Sequence, residues 1–172
     1  QLLAQLARQA EVSNFVHISS SAVYRPGPLN DAREFAPLKA TEPYGLSKLA
    51  AEAAATDAFG DLVTTLRLPG VYANHPCPFL WHLLHALRRC QLPDTGVEHP
   101  PYELVHAADV AAAVRCALTV PPKNRTLNVS GPDRTTLREV VELAAGVLGI
   151  APRWKQALAP GEAPKPGHAP AQ

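Results

Sequence analysis

The 172-residue sequence contains no methionine and only three cysteines, Cys77, Cys90 and Cys116. Thiols that are odd in number and far apart exclude a disulfide framework and fit a reducing compartment, where free cysteine acts as a small hydrophobe. Aromatic residues make up 6% of the chain, and apart from the Arg88-Arg89 pair the basic residues are scattered. This excludes the basic stripe with interleaved aromatics that tracks a nucleic-acid strand, so no nucleic-acid partner is expected. No apolar run reaches the roughly 18 to 20 residues of a membrane-spanning helix, and no secretory signal pattern opens the chain. The expected location is therefore cytoplasmic, without a membrane partner. The missing methionine, with a first residue Gln1 that falls inside a helical pattern, reads as a fragment lacking its original N-terminus.

What is present is an ordinary globular composition, with 47% apolar residues, 18% charged residues and a net charge of +1. The length supports one domain with a true core and not a second full one. Leu2, Leu3, Leu6 and Ala10 recur at helical spacing, and residues 14–18 (NFVHI) form a short β-rich run. A loop rich in proline and glycine follows, through Pro43. Thr41 is the expected cap of a helix over 43–59, with Glu42 favouring the helix dipole, Pro43 in the first turn and Gly60 as the stop. A strand over 62–68 is broken by Pro69-Gly70, and a helix is expected over 78–90. A strand over 102–105, a helix over 107–118 with Asp109 near its start, and a strand over 126–129 come next. Thr136 and Glu139 have capping-box spacing and open a helix to 148, stopped by Gly149. This alternation predicts an α/β fold with a parallel sheet. From Ala151 onward proline, alanine, glycine and lysine dominate without period, so residues 151–172 are expected to be a disordered tail.

The segment EPYGLSK, residues 42–48, places Tyr44 four positions ahead of Lys48 in the first turns of a helix. Residues four apart share a helical face, so a phenol and an ammonium sit side by side. For the phenol to act as a base near neutral pH, its pKa must fall from about 10 toward 7 or 8, worth roughly 3 to 4 kcal/mol. A lysine charge at about 5 Å supplies about 3 kcal/mol at an effective dielectric near 20, and under about 1 kcal/mol in bulk water. The pair therefore requires a partly closed site. His75, Cys77, His82 and His85 straddle a helix start without paired ligand spacing, so no metal site is expected.

Five segments in order, FVHISSSAVY, EPYGLSKLAAE, LRLPGVYANHP, ELVHAADVAAA and LNVSGPDRTTLREVVELAAGVLG, resemble the extended short-chain dehydrogenase/reductase family of NAD(P)-dependent epimerases and dehydratases. The resemblance runs from the first residues to about Leu148. It implies a partial Rossmann-like, doubly wound parallel sheet with a small C-terminal substrate-binding portion. Residues 1–150 would then be the catalytic and C-terminal part of that domain, with its first βαβ units missing. It also implies an oxidoreductase or epimerase that moves a hydride between NAD or NADP and a secondary alcohol or carbonyl compound. The family's substrate-binding hydroxyl, four residues before the tyrosine that closes the strand motif, matches Ser20, with Ser19 and Ser21 as neighbours. Its catalytic base matches Tyr44 and its partner lysine Lys48, which also binds the cofactor ribose. Pro69, Gly70 and Val71 match the turn beside the nicotinamide, while Arg67 and Asp109 read as structural.

A Rossmann protein cradles its pyrophosphate in a glycine-rich turn, and these residues contain no G-x-G-x-x-G or G-x-x-G-x-x-G. The resemblance assigns that turn to the missing half, which leaves NAD and NADP both open. A truncated, noncatalytic domain acting as a binding or regulatory partner is the alternative. Sugar-nucleotide members usually carry glycines and an arginine before the stretch matching Val105-His106, whereas residues 97–104, VEHPPYEL, have no glycine, lysine or arginine. That favours a small or apolar carbonyl compound. Family members also pair through the helix that carries the tyrosine, so a homodimer is expected over the alanine-rich face of residues 49–58.

Overall fold

Every residue of the strand β2 (Val63–Leu68) is buried, as expected of a central parallel strand covered on both faces. In the computed structural model, which describes residues 2–24, 33–74, 78–89, 92–93, 101–152 and 154–155, β2 lies between β1 (Phe15–Ser20) and β6 (Arg125–Asn128). Both pairings are parallel, with Ser20 opposite Leu68 and Arg67 opposite Asn128. Helices α1 (Leu2–Gln9) and α2 (Pro43–Phe59) cover one face. There Ala4, Ala55, Phe59 and Val63 form a buried cluster, and Phe15 stacks on Phe59 with ring centres 4.3 Å apart. Thr64 and Leu66, alternating in strand period, line a small cleft with Ala113 and Ala117 of α4 (Ala107–Thr119) on the opposite face. Asn14, just before β1, donates from Nδ2 to the carbonyls of Ala117 and Leu118, satisfying acceptors that the end of α4 leaves open.

A second sheet departs from the single sheet that the alternation predicts. The segment read as a turn after β2 forms a short strand, β3 (Gly70–Tyr72), which pairs in parallel with β5 (Pro101–His106). Strand β5 then pairs antiparallel with β7 (Arg134–Thr136), a strand too short for its sequence to signal. Helices α3 (Pro78–Arg88) and α5 (Leu137–Leu148) pack beside it around Leu83, Leu87, Leu92, Val141 and Ala145. Strands β4 (Leu92–Pro93) and β8 (Trp154–Lys155) pair in parallel, and Trp154 packs against the same cluster. Of the tail expected over 151–172, residues from 156 onward lie outside the described residues, as do His75, Cys77 and Cys90.

The helix ends follow their sequence signals unevenly. Helix α5 has the full capping box, with Thr136 Oγ1 accepting from the Glu139 amide and the Glu139 carboxylate accepting from the Thr136 amide at 2.7 Å. Its C-terminal cap is Gly149, in the left-handed conformation. Helix α2 begins one residue later than its cap signal. The capping position is Glu42, not Thr41, and no side chain bonds the first turn there. Pro43 at the first helical position suits this end, because its missing N–H would have no partner inside the helix.

Candidate active site

The first turn of α2 is held against the outgoing end of β1 by contact rather than by a cap. A Cβ added at Gly45 would collide with the Ala22 carbonyl oxygen and stand 2.9 Å from the Ala40 Cβ, so only glycine allows this approach. Lys48 Nζ donates to the Ile18 carbonyl at 3.2 Å and stands 5.8 Å from the centre of the Tyr44 ring. Tyr44 and Lys48 thus flank the C-terminal end of β1, where Ser20 lies. The Tyr44 side chain is 58% exposed, so its phenol is open to a ligand.

The three serines in a row have separate places. Ser19 is buried and donates to Glu52 Oε1. Ser20 is half-buried, and its Oγ accepts from the Ala22 amide at 3.2 Å, which leaves the hydroxyl proton for another partner. Ser21 begins a short 3-10 turn over Ser21–Val23. Ser20 is level with Leu68 in the sheet, and Pro69, Gly70 and Val71 leave from that level half-buried. The turn and the Tyr44–Lys48 pair therefore share the outgoing end of one parallel sheet, which is where open α/β sheets bind ligands.

A family model described as the NAD dependent epimerase/dehydratase family matches residues 1–130. The chain belongs to this family. No curated protein matches the sequence. Among solved structures, MoeE5 in complex with UDP-glucose and NAD is 28% identical with a TM-score of 0.72, over 90% of this chain and 55% of that one. UDP-glucose 4-epimerase of Thermus thermophilus in complex with NAD is 24% identical with a TM-score of 0.69, over 90% of this chain and 55% of that one. UDP-glucuronic acid 4-epimerase of Bacillus cereus in complex with NAD has a TM-score of 0.75 at 17% identity, over 90% and 53%. The chain spans about 55% of the length of the first of these structures. The fold is thus the Rossmann-like α/β fold of the epimerase/dehydratase family, whose cofactor is NAD.

Beside the Tyr44–Lys48 pair, this epimerase/dehydratase chain carries a buried polar network that no sequence motif assembles. Arg67, 4% exposed, donates from Nε and Nη2 to the two carboxylate oxygens of Glu52 at 2.9 and 2.7 Å. Its Nη1 donates to the Tyr24 hydroxyl and the Glu34 carbonyl, both at 3.0 Å. Tyr24 in turn donates to Asn128 Oδ1 at 2.8 Å, and Glu34 accepts from the Asn128 amide. Burial pulls the Glu52 carboxyl upward, but the Arg67 and Ser19 hydrogen bonds outweigh it and hold the pKa below the usual range. The Arg67 guanidinium is raised, its burial outweighed by Glu52 and Tyr24. Arg67, expected as structural, is the hub. Glu52 was missed in the sequence; the signal that could have found it is that residue 52 continues the helical face of residues 44 and 48.

His17, on the same face of β1 as Ser19, is half-buried, and its Nε2 has no hydrogen-bond partner among the described residues. Burial, then the nearby Lys48 charge, push its pKa below the usual 6.5. Asp109 is exposed in the first turn of α4, where His106 supplies the cap through Nδ1. Among the described residues no three histidine, cysteine or acidic side chains converge as metal ligands, and no helix is long and apolar enough to cross a membrane.

Proposed function

We propose that this chain is the catalytic part of an NAD-dependent enzyme that interconverts a secondary alcohol and a carbonyl compound, with Tyr44 as the base. The observation that carries the reading is Lys48, anchored on the Ile18 carbonyl beside an accessible Tyr44 phenol at the outgoing end of β1. Tyr44 takes the proton from the alcohol oxygen in one direction and returns it in the other. Ser20 donates its free hydroxyl proton to that oxygen and holds it in place. Lys48 uses one of its three donors on Ile18, and the others suit ribose hydroxyls. The half-buried Pro69, Gly70 and Val71 turn would lie against the nicotinamide. The nicotinamide supplies the hydride acceptor and donor when bound. Closure by the bound partners provides the low dielectric that the Tyr44–Lys48 pair requires.

The test is NADH- and NADPH-dependent carbonyl reduction by the complete protein. Tyr44→Phe is expected to lower kcat by about 10² to 10⁴-fold, and an unchanged rate overturns the assignment. The second reading is a noncatalytic binding or regulatory domain. Titration of this chain with NADH and NADPH separates the two, because tight binding of either by the chain alone removes the second. A homodimer would form across α2, where Ala50, Ala53 and Asp57 face outward. Sedimentation velocity of Ala53→Arg against the parent checks it.

A further inference from the structure

Helix α2 begins without a side-chain cap, and the strap that leads into it, residues 33–42, buries little. Within the strap only Glu34, Ala36 and Ala40 are not exposed, and Phe35 is 82% open. Two alanine methyls remove little apolar area from water, so hydrophobic burial does not hold the strap down. Its polar ties to the sheet fall on Glu34. The Glu34 Oε1 accepts from the Asn128 amide at 3.0 Å at the end of β6, and the Glu34 carbonyl accepts from Arg67 Nη1 at 3.0 Å. The bonds from Arg67 to Tyr24 and from Tyr24 to Asn128 complete a ring of residues in which each bond polarises the next. The Asn128 amide, then the amide of Glu34 itself, hold the Glu34 carboxyl below the usual range.

From this anchor the strap reaches Tyr44 in short steps. The Ala36 amide closes a turn on the Arg33 carbonyl at 2.8 Å, and Leu38 then bridges Tyr24 in antiparallel register. Ala40 packs on Gly45, the neighbour of Tyr44, so closely that a Cβ at Gly45 would stand 2.9 Å from its own. The Glu42 carbonyl accepts from the Leu46 amide at 3.0 Å and starts the helical ladder. Pro37 and Pro43 fix two of the φ angles along this path, which stiffens it. Movement at Glu34 is therefore passed to the first turn of α2. With the carboxylate removed, the carbonyl bond to Arg67 is the one tie left to the turn at 33–36 from the ring.

We propose that Glu34 is a positioning residue for Tyr44: its carboxylate, seated on the Asn128 amide, sets where the uncapped first turn of α2 stands. The proposal rests on the reading of Tyr44 as the base. Its test is amide hydrogen exchange by NMR on the full 172-residue chain, with Glu34→Ala and Glu34→Gln against the parent, beside carbonyl reduction by the complete protein carrying the same changes. Glu34→Ala is expected to speed exchange at Leu46, Ser47 and Lys48 by roughly tenfold, the effect of losing one charged hydrogen bond. It should also remove the cross-peak between the Ala40 methyl and the Gly45 α-protons and lower kcat by roughly tenfold, with the amides of α5 unchanged. Glu34→Gln keeps an acceptor oxygen for Asn128 and is expected to restore all three readouts. Unchanged exchange at residues 46–48 overturns the proposal. So does a rise shared equally by α5, or loss of the fold, because Glu34 would then support the whole chain and not this turn. A Glu34→Gln chain as loose as Glu34→Ala overturns it too. Tyr44→Phe separates the two readings: if it leaves turnover intact while Glu34→Ala still frees residues 46–48, the base assignment fails and the link from Glu34 to the turn stands.

Discussion

Helices α2 and α5 are built on opposite plans. Helix α5 carries its own boundaries, a reciprocal Thr136–Glu139 cap at the start and Gly149 at the end. Helix α2 has no side-chain cap and is held by neighbours distant in sequence: Ala22 against Gly45 in the first turn, which bears Tyr44, and further along Ile18 at Lys48 and Arg67 beside Glu52. Local hydrogen bonds suffice to start and stop a helix. Aiming a phenol at one end of a sheet takes tertiary contacts, and those are spent on the helix that bears the candidate chemistry.

If that contrast holds, the largest loss comes from Arg67→Ala, which leaves the Glu52 carboxylate buried without its partner. Urea unfolding is expected to show a loss of about 3 to 5 kcal/mol, and turnover should fall with it as α2 loses its anchor. Gly45→Ala is next, because the added methyl must displace the Ala22 backbone. A loss of about 1 to 3 kcal/mol is expected, with a lower kcat as Tyr44 shifts. Thr136→Ala removes one half of the α5 cap and is expected to cost about 1 kcal/mol by the same measurement, with no effect on chemistry at Tyr44. A Thr136→Ala loss as large as that of Arg67→Ala would erase the distinction.

The smallest effect is in acid. His17 and Glu52 both have folded pKa values below their unfolded ones, so the unfolded chain binds more protons as pH falls. Stability should be complete above about pH 7, decline first below about 6.5 through His17, and again below about 4.5 through Glu52. His17→Asn is expected to remove the first decline only, read from urea midpoints across that range.

The same contrast explains what could be read in the sequence. The α5 cap, the Gly60 stop of α2 and the order of strands and helices were legible because each signal is local or periodic. Thr41 misled because a good capping residue one position early lost to the packing of Gly45 and Pro43. The second sheet was hidden because β3 and β7 have three residues each, too few to display alternation. At the site, Tyr44 and Lys48 stood out by spacing, whereas the Glu52–Arg67–Tyr24–Asn128 network joins four segments with no shared pattern. The face shared by residues 44, 48 and 52 is the one sequence signal for it, and it went unread.

The hydrogen bond from Tyr24 to Asn128 joins positions 104 apart. Contacts of such separation form late, since the chain between must first be gathered. During synthesis, the loop that follows Ser20 can find its Asn128 partner only after β6 has emerged, long after α2 has left the ribosome. The Tyr24–Asn128 bond is therefore among the last contacts of the sheet to close, and a chain halted before residue 128 would carry Tyr44 and Lys48 with the Arg67 network incomplete.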